Sequence, residues 1–272
     1  MLARLAACAC AAALLAAAPA ARVDPAGVRA KQHVRAIAVL GPRVAGTTTE
    51  RRAARVVRAR FAKLGLTPVV QAVPLPRSGA SRNLVFRTGG RLRAIVVAHL
   101  DGVSAGPAAN DNGSGVGALI EVARELGDTP GVLYAALGAE EQVMTRSSLH
   151  LGSARLLRSL SPAERRSVRV ALSLDMVGNG PELNVRGLEA TPNRSARAAL
   201  AAAHRLALHA TYLRDRGLSD HEELTRGGVP AAWIEWRWDP CWHSACDRVG
   251  RLEPTKLAAA IRLTAAAVRA AA

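Results

Sequence analysis

The sequence predicts an α/β fold: a single domain with a central mixed, mostly parallel β-sheet flanked by helices. Three observations carry this. Short apolar runs at Ala94 to Ala98, Val132 to Leu137, Val168 to Leu174 and Ala231 to Trp236 have the length and branching of buried strands. Segments with apolar residues at helical spacing lie between them, the order of a parallel sheet with crossover helices. No internal repeat and no linker rich in Pro, Gly and Ser divides residues 26–272, so one domain is expected there.

In chain order, residues 26–40 read as a helix with Ala30, Val34 and Ile37 inward, broken at Gly41-Pro42. Thr47 and Glu50 fit a capping box, and a second helix runs to Leu64 with Gly65 as its stop. Two short strands follow, near 68–73 and 83–87, before the AIVVA run. Val116, Leu119, Ile120, Ala123 and Leu126 mark a helix closed by Gly127. Ser195 to Leu208 is an alanine-rich helix, and Pro254 to Ala272 a closing one through Leu257, Ile261 and Val268.

The N-terminus reads as an address. Arg4 precedes an apolar run from Leu5 to Ala18, too short for a transmembrane helix, and Ala18-Pro19-Ala20 offers small residues for cleavage. Residues 1–20 are therefore expected to be a signal peptide and the protein to be secreted or extracytoplasmic. Cys241 and Cys246 remain after cleavage, and in an oxidising compartment they read as a short disulfide loop around a histidine.

The formal charge of +16 comes almost wholly from arginines spread along the chain, with no basic-aromatic stripe. That argues for a solvated basic surface and against nucleic acid, and leaves weak adhesion to an anionic cell envelope as the charge-driven partner. The protein is expected to be a monomer.

The chemistry gathers at strand ends. His99 and Asp101 follow one core run, Glu140 and Glu141 a second, and Asp175 a third, with Asp111 shortly after the first. In an open α/β sheet, the carboxyl ends of the strands are where ligands bind. So many carboxylates there would repel one another unless cations are present. Imidazole and carboxylate are ligands that suit zinc. His99, Asp111, Glu141, Asp175 and the late His243 can supply two metal ions, and Glu140 is placed to take a proton from water. His221 competes with His243 for the last position. His33, His150, His204 and His209 have no acidic company in the sequence and read as ordinary histidines. Trp233, Trp236 and Trp238 read as packing at a strand and its edge, with one of them able to line a pocket. Asn112-Gly113-Ser114-Gly115 lacks the lysine of a phosphate-binding loop.

Taken together, GPRVAGT, AHLDGVSAGPAANDNGSGVGALIEVAREL, LGAEEQ, SLDMVG, GLSDHEEL and CWHSACD resemble the secreted two-zinc aminopeptidases, in order and spacing, over most of the mature chain. Relatives of that family include glutaminyl cyclases and the protease-like domain of transferrin receptors. The resemblance implies a zinc exopeptidase acting on peptides with a free N-terminus and holding two Zn2+ per chain. Asp111 would bridge the two ions, with His99 and Asp175 completing one site and Glu141 and His243 the other. Glu140 would be the general base, Asp101 would orient His99, and Asp220 and His221 would have supporting roles. Trp242 stands where the family often has a tyrosine that helps hold the oxyanion, so it is a candidate oxyanion or substrate residue. Arg146 and Ser147 stand where relatives commonly carry Gly-Ser. Two other outcomes share the scaffold: a glutaminyl cyclase-like acyltransferase, against which His99 argues, and a catalytically silent binding protein, which predicts lost ligands.

Overall fold

The computed structural model describes residues 24–76, 79–141 and 150–272. The expected signal peptide, at 1–20, and the Arg146-Ser147 pair lie outside the described residues. Eight strands form one sheet: β1 (Val69–Pro74), β2 (Ala80–Arg87), β3 (Ala94–His99), β4 (Val132–Leu137), β5 (Val170–Leu174), β6 (Glu182–Gly187), β7 (Ala210–Arg214) and β8 (Ala232–Arg237). Their spatial order is β1-β2-β4-β3-β5-β8-β6-β7. The central run β4-β3-β5-β8 is parallel throughout, as is the β6–β7 pair. The β1–β2, β2–β4 and β6–β8 pairs are antiparallel. Central strands covered on both faces must be apolar on both, so the runs in β3, β4 and β5 are continuous rather than alternating.

The helices are α1 (Pro25–Ala38), α2 (Thr48–Ala62), α3 (Gly115–Leu126), α4 (Leu151–Ser159), α5 (Pro162–Ser167), α6 (Arg194–Arg205), α7 (His221–Arg226) and α8 (Pro254–Arg269). Asp24 starts α1, its side chain accepting the Ala26 N–H ahead of Pro25. Alternate β3 residues serve the two cores. Val96 and Ala98 pack with residues of α1, α2, α3, α6 and α8, while Ile95 and Val97 meet Leu156, Leu160 and Leu224 on the opposite face.

The capping box at Thr47 is only half formed. Thr47 Oγ1 accepts the Glu50 N–H, but the Glu50 carboxylate turns to the Gly46 N–H at 2.6 Å and to Ser81 Oγ. Other boundaries shift modestly: β2 begins at Ala80, α3 starts after an irregular helical turn over Ala109–Ser114, and α8 stops at Arg269. Strands β6 and β7 and helices α4, α5 and α7 are additional to those read from the sequence. β6 carries the buried polar residues Asn184 and Arg186, which conceal a strand pattern. Helices α5 and α7 are each six residues long, too short to show a period.

A candidate two-metal centre

Parallel pairing puts the C-terminal ends of β3, β4 and β5 side by side, with His99 opposite Leu137 in the β3–β4 register. The chain leaving each strand delivers a polar side chain to that edge. His99 ends β3, Glu140 and Glu141 follow β4, and Asp175 follows β5. Asp111 arrives from the irregular turn before α3, next to a cis Asp111–Asn112 peptide bond. His243 comes from the loop closed by the Cys241–Cys246 disulfide, whose Cα atoms are 5.3 Å apart.

Asp111 is the centre of the arrangement. Its Oδ1 lies 3.3 Å from His99 Nε2, and its Oδ2 3.1 Å from His243 Nε2. On one side, Asp175 Oδ1 stands 3.5 Å from His99 Nε2, and Glu140 Oε2 3.9 Å. On the other, the Glu141 oxygens lie 3.0 and 3.2 Å from His243 Nε2. His99 Nε2 thus faces three carboxylates, but an imidazole nitrogen can donate one hydrogen. Asp175 Oδ1 is buried without a hydrogen-bond partner among the described residues. Two buried groups of donors, His99 with Asp111 and Glu141 and His99 with Glu140 and Asp175, have ligand atoms close enough together to hold a cation, with the exposed His243 beside them, and the ligand types fit zinc.

The ionisation pattern follows from the crowding. Burial pulls the His99 imidazole down, but the carboxylates of Glu140, Asp175 and Asp111 together push it well above its ordinary value. For Asp111, burial is outweighed by the hydrogen bonds of His243 and His99, which hold the carboxyl below its usual range. Burial pushes Glu140 well up, and burial with the Asp111 charge lifts Glu141 to about 6. The two adjacent glutamates face different partners: Glu141 meets His243, while Glu140 Oε1 meets His150 Nε2 at 3.2 Å.

The supporting residues are placed in ways that spacing alone does not give. Asp101 stands 3.9 Å from His99 Nδ1, beyond hydrogen-bonding distance, because its two oxygens accept the backbone N–H groups of Glu140 and Glu141, each at 3.1 Å. It therefore positions the acidic pair. His221 pairs with Asp215 at 3.1 Å, and Asp220 is buried, its carboxyl lifted to about 6 by that burial. Neither lines the cavity. Trp242 is 58% exposed and stacks on His243, ring centroids 4.2 Å apart.

Several residues at the site carry no local mark of their own in the sequence. His150, read as an ordinary histidine, is 3% exposed and in the site. Asp247 accepts the backbone N–H groups of Asn110 and Asp111, and the fully buried Arg43 donates to the carbonyls of Leu100, Pro107 and Ala108. Asp247 closes the CWHSACD motif and Arg43 lies in GPRVAGT, so their motif membership was the available signal. The candidate metal-binding side chains open into a cavity of about 500 Å³, walled by Met176, Leu218, Trp233, Trp238 and Trp242 and by an Arg186–Glu235 pair. That size is within the range of small-ligand sites.

A family model described as Peptidase family M28 matches residues 83–268. The chain belongs to peptidase family M28. Among curated relatives of this M28 chain, aminopeptidase YwaD of Bacillus subtilis is 32% identical over 186 residues, covering 64% of this chain and 40% of the relative. The probable lipoprotein aminopeptidase LpqL of Mycobacterium tuberculosis is 31% identical over 223 residues, covering 66% of this chain and 43% of the relative. The chain thus spans about two-fifths of the length of either curated relative. In fold, the zinc aminopeptidase BSAP of Bacillus subtilis superimposes with a TM-score of 0.83 at 19% identity, over 92% of this chain and 96% of that one. A glutaminyl cyclase of Porphyromonas gingivalis does so with 0.77 at 21% identity, over 90% and 98%. Among the described residues, no helix is long and apolar enough to cross a membrane.

Proposed function

We propose that residues 26–272 form a zinc-dependent aminopeptidase domain that removes N-terminal residues from peptides outside the cytoplasm. The observation that carries this is Asp111, whose two oxygens face His99 on one side and His243 on the other, each pair with a further carboxylate beside it. Two Zn2+ would be held there, one by Asp111, His99 and Asp175, the other by Asp111, Glu141 and His243. The aminopeptidase names of the M28 relatives support the same reading. Zinc bound there supplies Lewis acidity, polarising a carbonyl oxygen and making a water molecule more acidic.

The chain's own residues do the rest. Glu140, whose Oε2 points toward the metal-binding group, takes a proton from the attacking water and returns it to the leaving amine. Burial raises that carboxyl's affinity for a proton, so it can hold the one taken from water until the amine leaves. Asp101 fixes the backbone of Glu140 and Glu141 through their N–H groups. The cavity walls exclude water around the bound residue, and its acidic side attracts a protonated N-terminal amine. Trp242 can donate an indole N–H toward substrate from its place beside His243. The domain is proposed to act as a monomer, to leave nucleic acid unbound and to adhere at most weakly to anionic envelope polymers. A cleaved segment at 1–20 would export it.

A second reading, glutaminyl cyclisation, is favoured by the fold likeness to the Porphyromonas gingivalis enzyme. One experiment separates the two. Purified protein is given leucine-p-nitroanilide, its N-acetylated form and a peptide with N-terminal glutamine. Hydrolysis of the free-amine anilide is expected, with the N-acetylated form left intact and no cyclisation of the glutamine peptide. Cyclisation of the glutamine peptide without anilide hydrolysis would overturn the aminopeptidase reading.

A further inference from the structure

His150 ties the general-base candidate to a second acidic residue. Its Nε2 lies 3.2 Å from Glu140 Oε1, its Nδ1 lies 3.2 Å from Glu222 Oε2, and Glu222 Oε1 is 2.7 Å from the Arg226 guanidinium. The ring is buried, while Arg226 at the far end is largely exposed. The backbone is fixed as firmly. The Glu140 carbonyl accepts the His150 N–H at 2.9 Å, and the Ala139 carbonyl accepts that of Leu151 at 2.8 Å. His150 itself adopts left-handed backbone, φ 54° and ψ 32°, which turns the chain into α4. Left-handed backbone in a residue other than glycine persists where surrounding bonds over-determine it, and it clusters at functional sites.

Glu140 has two oxygens with two tasks. Oε2 points toward His99 and the metal-binding group, whereas Oε1 points away from them to His150. A carboxylate held at one oxygen loses the rotation that would otherwise average the position of the other. An imidazole carries a nitrogen at each end of the ring, and with Glu140 at Nε2 the Glu222 carboxylate at Nδ1 fixes which way the ring faces.

We propose that His150 is a positioning residue for the aminopeptidase reaction: it holds Glu140 Oε1, and is itself oriented by Glu222, so that Oε2 faces the attacking water. This rests on the reading of Glu140 as general base. Groups that orient metal ligands from behind typically cost about 10- to 100-fold in affinity or activity when removed, and an effect of that order is expected for Glu140.

The test compares His150→Phe, which keeps a ring, with His150→Gln, which keeps one donor, and Glu222→Gln. In the active parent background, kcat for leucine-p-nitroanilide falls by about 10- to 100-fold in His150→Phe. KM and zinc content stay near the parent's, and His150→Gln recovers part of the loss. In a Glu140→Ala background the same His150→Phe change has no further effect, the signature of action through Glu140. In metal-free protein, the His150 ring resonances shift on Glu140→Ala and on Glu222→Gln. Unchanged kcat in His150→Phe, an equal loss in the Glu140→Ala background, or loss of zinc with the His150 change would each overturn the proposal. A parent that binds zinc but hydrolyses no free-amine substrate would overturn the functional reading first, and this one with it.

Discussion

Asp247 holds Asp111 by its backbone: the two oxygens of its carboxylate accept the N–H groups of Asn110 at 2.6 Å and Asp111 at 3.0 Å. Asp247 directly follows the disulfide-closed segment that carries His243, so the stretch presenting one imidazole also fixes the carboxylate that imidazole faces. Two motifs far apart in sequence are thereby locked in one geometry. Asp247→Asn leaves one of those amides opposite an N–H group. It should lower zinc retention by roughly 10- to 100-fold with the fold intact, measured by dialysis against a graded chelator and by circular dichroism. Parent-like retention would show that the Asp111 backbone holds its place unaided.

The disulfide acts on the same loop. Closing so short a loop restricts the unfolded chain by about 2 kcal/mol and, more importantly, limits where His243 can go. Cys241→Ser with Cys246→Ser is expected to lower the midpoint of chemical unfolding modestly and to lower activity more than stability. A variant that loses stability and keeps full activity would mean that the loop is rigid without the bond.

Arg43 supports the approach to the site from below. Its buried guanidinium makes three hydrogen bonds to main-chain carbonyls at 2.6 to 2.8 Å, across the segment that leads from β3 toward Asp111. Burial lowers its pKa, and the charges of Asp101 and Asp247 oppose that shift. Arg43→Met strands those carbonyls and removes the counter-charge. It should destabilise the fold by about 3 kcal/mol, read from denaturant unfolding. A loss under about 1 kcal/mol would contradict this account of the segment.

Glu50 makes stability depend on pH. Burial raises its carboxyl from the ordinary 4.5 to about 7, against the opposing hydrogen bonds of Ser81 and Gly46. Because the folded state holds the proton more tightly than the unfolded one, its contribution is full below pH 4.5 and is lost as pH rises to 7. The whole window corresponds to about 3 kcal/mol. Glu50→Gln keeps the shape and cannot ionise, so its stability relative to the parent should improve steadily between those pH values. A difference that is flat with pH would show that Glu50 stays ionised in the fold.

How far the sequence carried these conclusions depends on how local the signal was. The apolar runs of β3, β4 and β5 and the charged residues ending them were readable because each is a short contiguous pattern, and the fold gathers His99, Asp111, Glu140, Glu141, Asp175 and His243 in one cavity. β6 was hidden because its interior carries Asn184 and Arg186, the latter paired with Glu235 across the sheet. His150 was missed for a related reason: its partners Glu140 and Glu222 lie 10 and 72 residues away in sequence, so nothing near it marks a site. Asp101 was read as the partner of His99, the usual arrangement behind a metal-bound imidazole. The backbone turn after β4 instead brings two amides to its oxygens. Spacing ranks residues by chemistry; only the folded backbone shows which polar groups are already taken.

The central claim is that one carboxylate, Asp111, serves two metal ions. Zinc content per chain, measured by elemental analysis on the purified protein and on Asp111→Ala and His243→Ala, tests it most directly. The account predicts about two zincs in the parent, about one in His243→Ala and less than one in Asp111→Ala, with hydrolysis of leucine-p-nitroanilide falling in the same order. One zinc in the parent, or an Asp111→Ala protein that still holds two, would contradict it.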